Sequence, residues 1–191
     1  MNTKLTTLCG FLSLGTAFAL PIYNPANGHY YDIVDASMSW DAARAQAEGT
    51  SYLGHSGHLA TITSDSENDF IVANFPQVTV PKELGGYMLG GYQADTSGTS
   101  AEGWAWVTGE AFSYTNWSGG EPNDFEGGPE NYLSIHDYLL GANPTAAWND
   151  GGNFSNGYII EFSPTTVPEA GSTMLLLSMT LAGLSFARRR K

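Results

Sequence analysis

The chain has 191 residues, and 19 acidic against 7 basic residues give it a formal net charge of −12. Most basic residues stand at the two ends, so residues 20–167 keep only Arg44 and Lys82 against 18 acidic residues, a net charge of −16. A surface this negative repels nucleic acid and anionic membranes and favours cations. The single cysteine is Cys9, so this middle segment must fold without disulfides.

The first 19 residues predict a secretory signal peptide. Lys4 makes the start basic, an apolar run covers residues 5–14, and Ala17-Phe18-Ala19 supplies a small-x-small cleavage site. The run is too short to cross roughly 30 Å of hydrocarbon, which argues against a membrane anchor. We therefore expect a mature chain that begins at Leu20 outside the cytoplasm.

The mature chain opens with a predicted strand and a predicted helix. Alternating apolar residues indicate a strand within residues 22–35. A helix follows, with Trp40, Ala43 and Ala47 on one face and Gly49 at its end.

A second helix is predicted shortly afterwards. A short strand over residues 58–62 leads to Ser64, which together with Glu67 has the spacing of a capping box. The helix that begins there is expected to turn Phe70 and Ile71 inward.

The second half of the domain is predicted to be strands around one long loop. Apolar runs indicate strands over residues 87–92, 103–107, 131–135 and 158–162. Residues 113–131 instead are rich in Gly, Asn, Asp and Glu and show no periodicity. Long loops in compact domains are usually functional or disordered.

The polar motifs of this region have a recognisable order. After the Trp40 helix and the Leu-Gly-Gly strand come Asn116-Trp117, Glu121-Pro122-Asn123, Glu130 and Trp148-Asn149-Asp150. This order resembles the C-type lectin-like domain from about residue 22 to residue 162. The resemblance implies an α+β fold over residues 20–163, with two helices packed on antiparallel sheets and a long calcium-binding loop.

The resemblance also implies a calcium site, carried over residue by residue. Its ligands would be Glu121, Asn123, Glu130, Asn149 and Asp150, and Pro122 would be cis. Their chemistry suits Ca²⁺, which takes six to eight oxygen ligands. Three carboxylates against one divalent ion leave the site near neutral, which predicts weak binding at about 10⁻⁴–10⁻³ M.

In the family, the same ligands bind sugar hydroxyls, and Glu-Pro-Asn accompanies mannose-type sugars. The resemblance therefore implies that these five residues bind glycans or exopolysaccharide. We do not expect an enzyme, because His136-Asp137 has no activated nucleophile beside it. His29, His55, His58 and His136 show no metal-ligand spacing with one another.

Three points stay open at this level. Asp95, Glu102 and Asp124 are candidates for an auxiliary calcium site. The family usually has two disulfides, and Tyr132 stands where one of the cysteines is expected. The alternative function is a protein-binding or structural matrix and adhesion module on the same fold, without sugar binding.

The C-terminal end is predicted to be a sorting tail. Residues 171–187 carry no charge, and the cluster Arg188–Lys191 follows at once. With Val167-Pro168-Glu169-Ala170 before it, this end resembles the PEP-CTERM tail, although Ala170 replaces the usual second proline. The resemblance implies a tail over residues 164–191 with a transmembrane helix at 170–187, recognised by an exosortase-type protease. We expect transient inner-membrane anchoring, then a place at the cell surface, in the exopolysaccharide matrix or in the medium.

Overall fold

A computed structural model describes residues 20–79, 86–125, 128–135 and 146–164. In chain order the elements are β1 (Ile22–Asn24), β2 (His29–Val34), α1 (Trp40–Glu48), β3 (Ser51–Tyr52), β4 (His55–Leu59), α2 (Asp65–Asn74), a 3₁₀ turn (Pro76–Thr79), β5 (Tyr87–Gln93), β6 (Trp104–Trp106), β7 (Tyr132–Ile135), β8 (Trp148–Gly151) and β9 (Gly157–Pro164).

The strands form two antiparallel groups that meet at β9. Strand β9 pairs antiparallel with β2 and β4, while β5 pairs antiparallel with β6 and β7, and β7 with β8. The groups join where β5 lies parallel to β9, with Tyr87 opposite Gly157 and Met88 opposite Tyr158. The predicted α+β class, with two helices on largely antiparallel sheet, is confirmed.

Helix α1 packs with the face that the sequence predicts. Trp40, Ala43 and Ala47 are buried, and Ser39 accepts a hydrogen bond from the amide of Ala42 at 3.3 Å. The Trp40 indole donates to the carbonyl of Leu89 at 2.9 Å and stacks on Tyr132 with ring centroids 5.0 Å apart. Aromatic packing thus occupies the position at which the family resemblance expects a cysteine.

The strand expected over residues 58–62 begins and ends earlier, because β4 covers His55–Leu59. The three residues that follow are buried, and the amide of Ala60 still donates to the carbonyl of Ile159 on β9 at 2.9 Å. The amide of Thr61 donates to the carboxylate of Glu161 at 2.8 Å and not to a strand carbonyl. A buried side chain therefore ends the strand by taking its hydrogen bond.

Helix α2 has only one of the two hydrogen bonds of the predicted capping box. The Ser64 hydroxyl accepts from the Glu67 amide at 3.3 Å, as expected. The Glu67 carboxylate, however, accepts from the amide and hydroxyl of Thr63 and not from the Ser64 amide. Glu67 is buried in this position, whereas Phe70, expected inside, is only partly buried.

The predicted signal peptide and the predicted tail helix at 170–187 lie outside the described residues. Within the described ranges, no helix has both the length and the apolar character needed to cross a bilayer.

Candidate calcium and carbohydrate site

The first part of the long loop is attached to β8. The amide of Trp148 donates to the carbonyl of Asn116 at 2.7 Å, and the amide of Ser118 donates to the carbonyl of Trp148 at 2.8 Å. Trp148 is fully buried among the rings of Trp106, Phe112, Tyr114 and Trp117. The aromatic core therefore holds the loop and β8 in one fixed relation, and Trp148 supports the loop.

Strand β8 was missed in the sequence. It pairs antiparallel with β7, with Leu133 opposite Asp150 and Ser134 opposite Asn149. Successive side chains of a strand point to opposite faces, and here Asp150 is fully buried while Asn149 is partly exposed. The pairing with β7 therefore fixes the positions of Asn149 and Asp150, the two predicted calcium ligands on this strand.

Asp150 organises the Glu-Pro-Asn segment. Its Oδ2 accepts hydrogen bonds from the amides of Asn123 and Asp124, both at 2.9 Å. The Glu121–Pro122 peptide bond is cis, as the resemblance implied. The motif is therefore bound to β8 through its backbone, although 27 positions separate Asn123 from Asp150.

The loop then closes on itself. Oε2 of Glu130 accepts from the amide of Phe125 at 2.6 Å, and Oδ1 of Asp124 accepts from the amide of Glu130 at 3.2 Å. These bonds bring Glu130 to the same site as Glu121 and Asp150: the charge of Asp150 raises the pKa of Glu130, and the charge of Glu130 raises that of Glu121.

The carboxyl groups of Glu121 and Asp150 lie close together, each with one oxygen atom that accepts no hydrogen bond from a described residue. Oε2 of Glu121 and Oδ1 of Asp150 are buried, and no described residue donates a hydrogen bond to either atom. Burial first, then the contact with Asp150, then the charges of Asp150 and Glu130 raise the pKa of Glu121 to about 7. Burial also raises the pKa of Glu130. Such a pair must share a proton or be bridged by a cation.

The side-chain oxygen atoms of the predicted ligands suit a calcium ion. The Asn149 side-chain NH₂ donates to the carbonyl of Asp150, which leaves its Oδ1 as a free acceptor. Asn123 is exposed at the loop surface. Every side chain of the set offers oxygen, the donor that Ca²⁺ requires.

The three auxiliary candidates are held by local contacts. Oδ1 of Asp95 accepts from the amide of Ser97 at 3.0 Å, and Glu102 accepts from the amide of Thr99 at 2.9 Å. Asp124 serves the loop closure described above.

A small cavity lies beside the site. Its volume is about 190 Å³, and it is lined by Glu130, Tyr132, Ser134, Asn149 and Phe154, among others. Phe154 on its rim and Phe125 on the loop are exposed aromatic side chains, at 66% and 64% of their surface. Sequence reasoning missed both, because a lone aromatic residue among glycines carries no periodic signal.

The fold of the described domain matches that of solved structures. Crystal structures of the C-type lectin CEL-I from Cucumaria echinata and of the cow CD23 C-type carbohydrate-recognition domain align with TM-scores of 0.57 and 0.52. Their identities are 20% and 24%; both cover 72% of this chain, and this chain covers 91% and 89% of them. The domain has the C-type lectin-like fold.

Curated proteins of similar sequence include a C-type lectin. Halomucin of Haloquadratum walsbyi is 35% identical over 159 residues, which is 75% of this chain and 2% of that protein. Mouse C-type lectin domain family 4 member G is 29% identical over 144 residues, 74% of this chain and 42% of that protein. The chain thus spans less than half the length of either relative.

The C-terminal end matches a family model as well. Residues 166–191 match the PEP-CTERM protein-sorting motif. The chain therefore combines a lectin-like domain with the sorting tail of an exported protein.

Proposed function

We propose that the lectin-like domain binds carbohydrate through a calcium ion held by Glu121, Asn123, Glu130, Asn149 and Asp150. The observation that carries this proposal is the pair of buried carboxyl oxygens on Glu121 and Asp150, to which no described residue donates. A buried like-charged pair is costly unless a proton or a cation compensates it. A divalent ion between them removes that cost.

The two carboxylate oxygens of Asp150 differ in their hydrogen bonding, which supports this assignment. Its Oδ2 is occupied by two loop amides, so its Oδ1 remains for the ion. The carboxylate therefore shapes the loop with one oxygen and offers the other as a ligand. Five ligand residues leave room in a shell of six to eight for two neighbouring hydroxyls of a sugar.

The proposed sugar class is mannose-type. A hydroxyl bound to the ion can donate to a carboxylate oxygen and accept from an amide NH₂. The order of Glu121 before Asn123 sets the direction of that pattern. The cow CD23 domain, which shares this fold, was crystallised in the presence of a GlcNAc2Man3 oligosaccharide. Affinity for a single sugar should be near millimolar, about −4 kcal/mol.

The sorting motif at residues 166–191 supports a role for the domain outside the cell. We propose export, processing of the tail by an exosortase-type protease, and presentation at the cell surface or in exopolysaccharide. Clustered copies on a polymer would convert weak single-site binding into useful avidity. No catalytic role is proposed.

The test is binding of the purified full chain to mannose-coated and galactose-coated surfaces. We expect retention on mannose in calcium and release by a chelator. Glu121→Gln combined with Asn123→Asp should move retention toward galactose, because it exchanges the carboxylate and amide positions. Asp69→Asn, a change at an exposed acid of α2 outside the proposed site, should keep the mannose preference.

Retention on both surfaces that ignores the chelator and the double substitution would contradict the proposal. It would favour the protein-binding alternative on the same fold.

A further inference from the structure

We propose that one end of the domain contacts the lipid surface of the membrane that the sorting tail is predicted to enter. This end, called the tip surface below, consists of Tyr23, Tyr30, Tyr52, Leu53 and His55, which come from β1, β2, β3, β4 and the turn between the last two. The strand order of the sheet places β1 at one edge and β8, which carries two proposed calcium ligands, at the other. The inference goes beyond the proposed sugar binding and relies only on the proposed export and sorting of the chain.

Leu53 stands at the tip of the β3–β4 hairpin in an unfavourable conformation. Its φ of 48° lies in the left-handed region, as does the φ of 86° at Gly54. Hairpin turns with two successive positive φ values favour Asn, Asp and Gly, whereas a leucine in such a turn is strained. The Leu53 side chain is also 70% exposed. Strained backbone and exposed apolar side chains mark functional surfaces, because a partner there compensates the energy that they cost in water.

Three tyrosines and a histidine continue the tip surface next to Leu53. The ring centroid of Tyr30 lies 4.9 Å from that of Tyr23 and 5.1 Å from that of Tyr52. It also lies 5.3 Å from the centroid of the His55 ring. Tyr23 is 50% exposed, and the other rings are half-buried. Tyrosine has an apolar ring and a polar hydroxyl, and it is enriched where a membrane meets water.

The tip surface is built from the part of this acidic domain that contains no acid. Residues 20–31 and 49–64 supply all five of its members and include no Asp or Glu, although residues 20–167 contain 18 acidic residues. Glu48, which directly precedes the second segment, is paired with Arg44 at 2.7 Å. Acidic side chains are repelled by anionic lipids and lose hydration when they meet a bilayer. The charge distribution therefore favours contact with a bilayer at this end of the domain.

The chain leaves the described domain at the tip surface. Pro164, the last residue of β9, lies opposite His55, two positions from Leu53. The sorting motif begins at residue 166, and the predicted tail helix begins at residue 170. Six residue steps span at most about 20 Å, so an inserted tail keeps the tip surface near the bilayer. A tethered partner is met at a high effective concentration, which favours lipid over a second copy of the chain.

The experiment measures how close the tip surface comes to lipid in the full chain. The chain is incorporated into vesicles of phosphatidylcholine and phosphatidylethanolamine, with or without a lipid that carries a nitroxide on its headgroup. A fluorophore is attached after Ser51→Cys, at an exposed position of β3, or after Gly152→Cys, where a Cβ atom has nothing within 4 Å. Cys9→Ser removes the only cysteine of the chain from both proteins. We expect strong quenching at residue 51 and little at residue 152.

Leu53→Asn separates contact with lipid from attachment through the tail. Asparagine is favoured in the left-handed turn and is polar, so this variant should be at least as stable as the unsubstituted chain. It should nevertheless lose most of the quenching at residue 51. Phe154→Asn is the matched control, because Phe154 is also apolar and 66% exposed but follows β8 at the other edge of the sheet. This control should leave the quenching unchanged.

The proposal is overturned if the chain does not associate with the vesicles or if residue 51 is quenched no more than residue 152. It is also overturned if Leu53→Asn keeps the full quenching, since the tail alone then explains the proximity. A change in sedimentation coefficient on Leu53→Asn without vesicles would assign the tip surface to a second copy of the chain and overturn the proposal as well. Retention on mannose is measured in parallel and should be equal in both chains, so the sugar function is tested separately.

Discussion

At the scale of single residues, the Glu121–Asp150 pair sets the electrostatics of the lectin-like site. Burial and two neighbouring acids raise the pKa of Glu121 from 4.5 to about 7. A carboxyl whose pKa is raised on folding binds its proton more tightly in the folded state than in the unfolded state. Without a cation, the site therefore stabilises the fold below the unfolded pKa and loses that stabilisation as the pH rises through about 7.

The first prediction follows from this loss of stability as the pH rises. In chelator, the contribution of Glu121 to the free energy of unfolding should fall as the pH rises from 5 to 8, and in saturating calcium that fall should disappear, because the bound ion keeps the carboxylate deprotonated in the folded state. Urea unfolding at several pH values in both solutions measures this. Since Glu67, Glu130 and His29 also have raised pKa values, the contribution of Glu121 is the difference between the unsubstituted chain and Glu121→Gln. A difference that does not vary with pH would contradict the assignment.

At the scale of elements, the junction of β5 and β9 holds the two antiparallel groups together. Gly157 lies where β9 passes both β2 and β5. A Cβ atom at this position would come within 2.1 Å of the Val34 carbonyl oxygen and 2.8 Å of the Tyr87 ring. Only a residue without a side chain lets the three strands approach this closely.

The second prediction concerns that junction. Gly157→Ala should lower the free energy of unfolding by roughly 1–3 kcal/mol or more, since the added methyl overpacks backbone that cannot move independently. Gly152→Ala is the matched control, because a Cβ there has nothing within 4 Å. Denaturant unfolding of both variants makes the comparison, and equal stabilities would show that the junction can relax.

At the scale of the whole molecule, the acidic middle segment makes folding and cation binding interdependent. The net charge of −16 over residues 20–167 opposes compaction by self-repulsion, and no cysteine is present there to add a covalent brace. An ion that binds only the folded state stabilises it by mass action. Secretion into a calcium-containing medium would then favour the folded domain.

The third prediction is a calcium-dependent melting temperature. At calcium concentrations a hundredfold above its dissociation constant, stabilisation should reach about 2.7 kcal/mol, which corresponds to a rise of several degrees for a domain of this size. Asp150→Asn should lose the rise, and Asp69→Asn, at an exposed acid of α2, should keep it. Thermal melts in calcium and in chelator would contradict the calcium site if they coincide.

The sequence alone determined the chemistry of the lectin-like site and its order along the chain. Glu121, Asn123 and Glu130 stand within ten residues of one another, so a motif records them directly. Helix α1 was also readable, since its buried face repeats with the helical period and Ser39 and Gly49 mark its ends. The sequence is enough to predict a structural element when the contacts that stabilise it join residues close together in the chain.

Only the tertiary structure decided what depends on distant partners. Strand β8 is a strand because β7 pairs with it, since Asn149, Asp150 and Gly151 have little intrinsic preference for that state. Glu67 has the spacing of a capping residue, yet the fold buries it beside Glu161 and within reach of His29. Burial and proximity between residues far apart in the chain arise from packing, which one-dimensional spacing does not record.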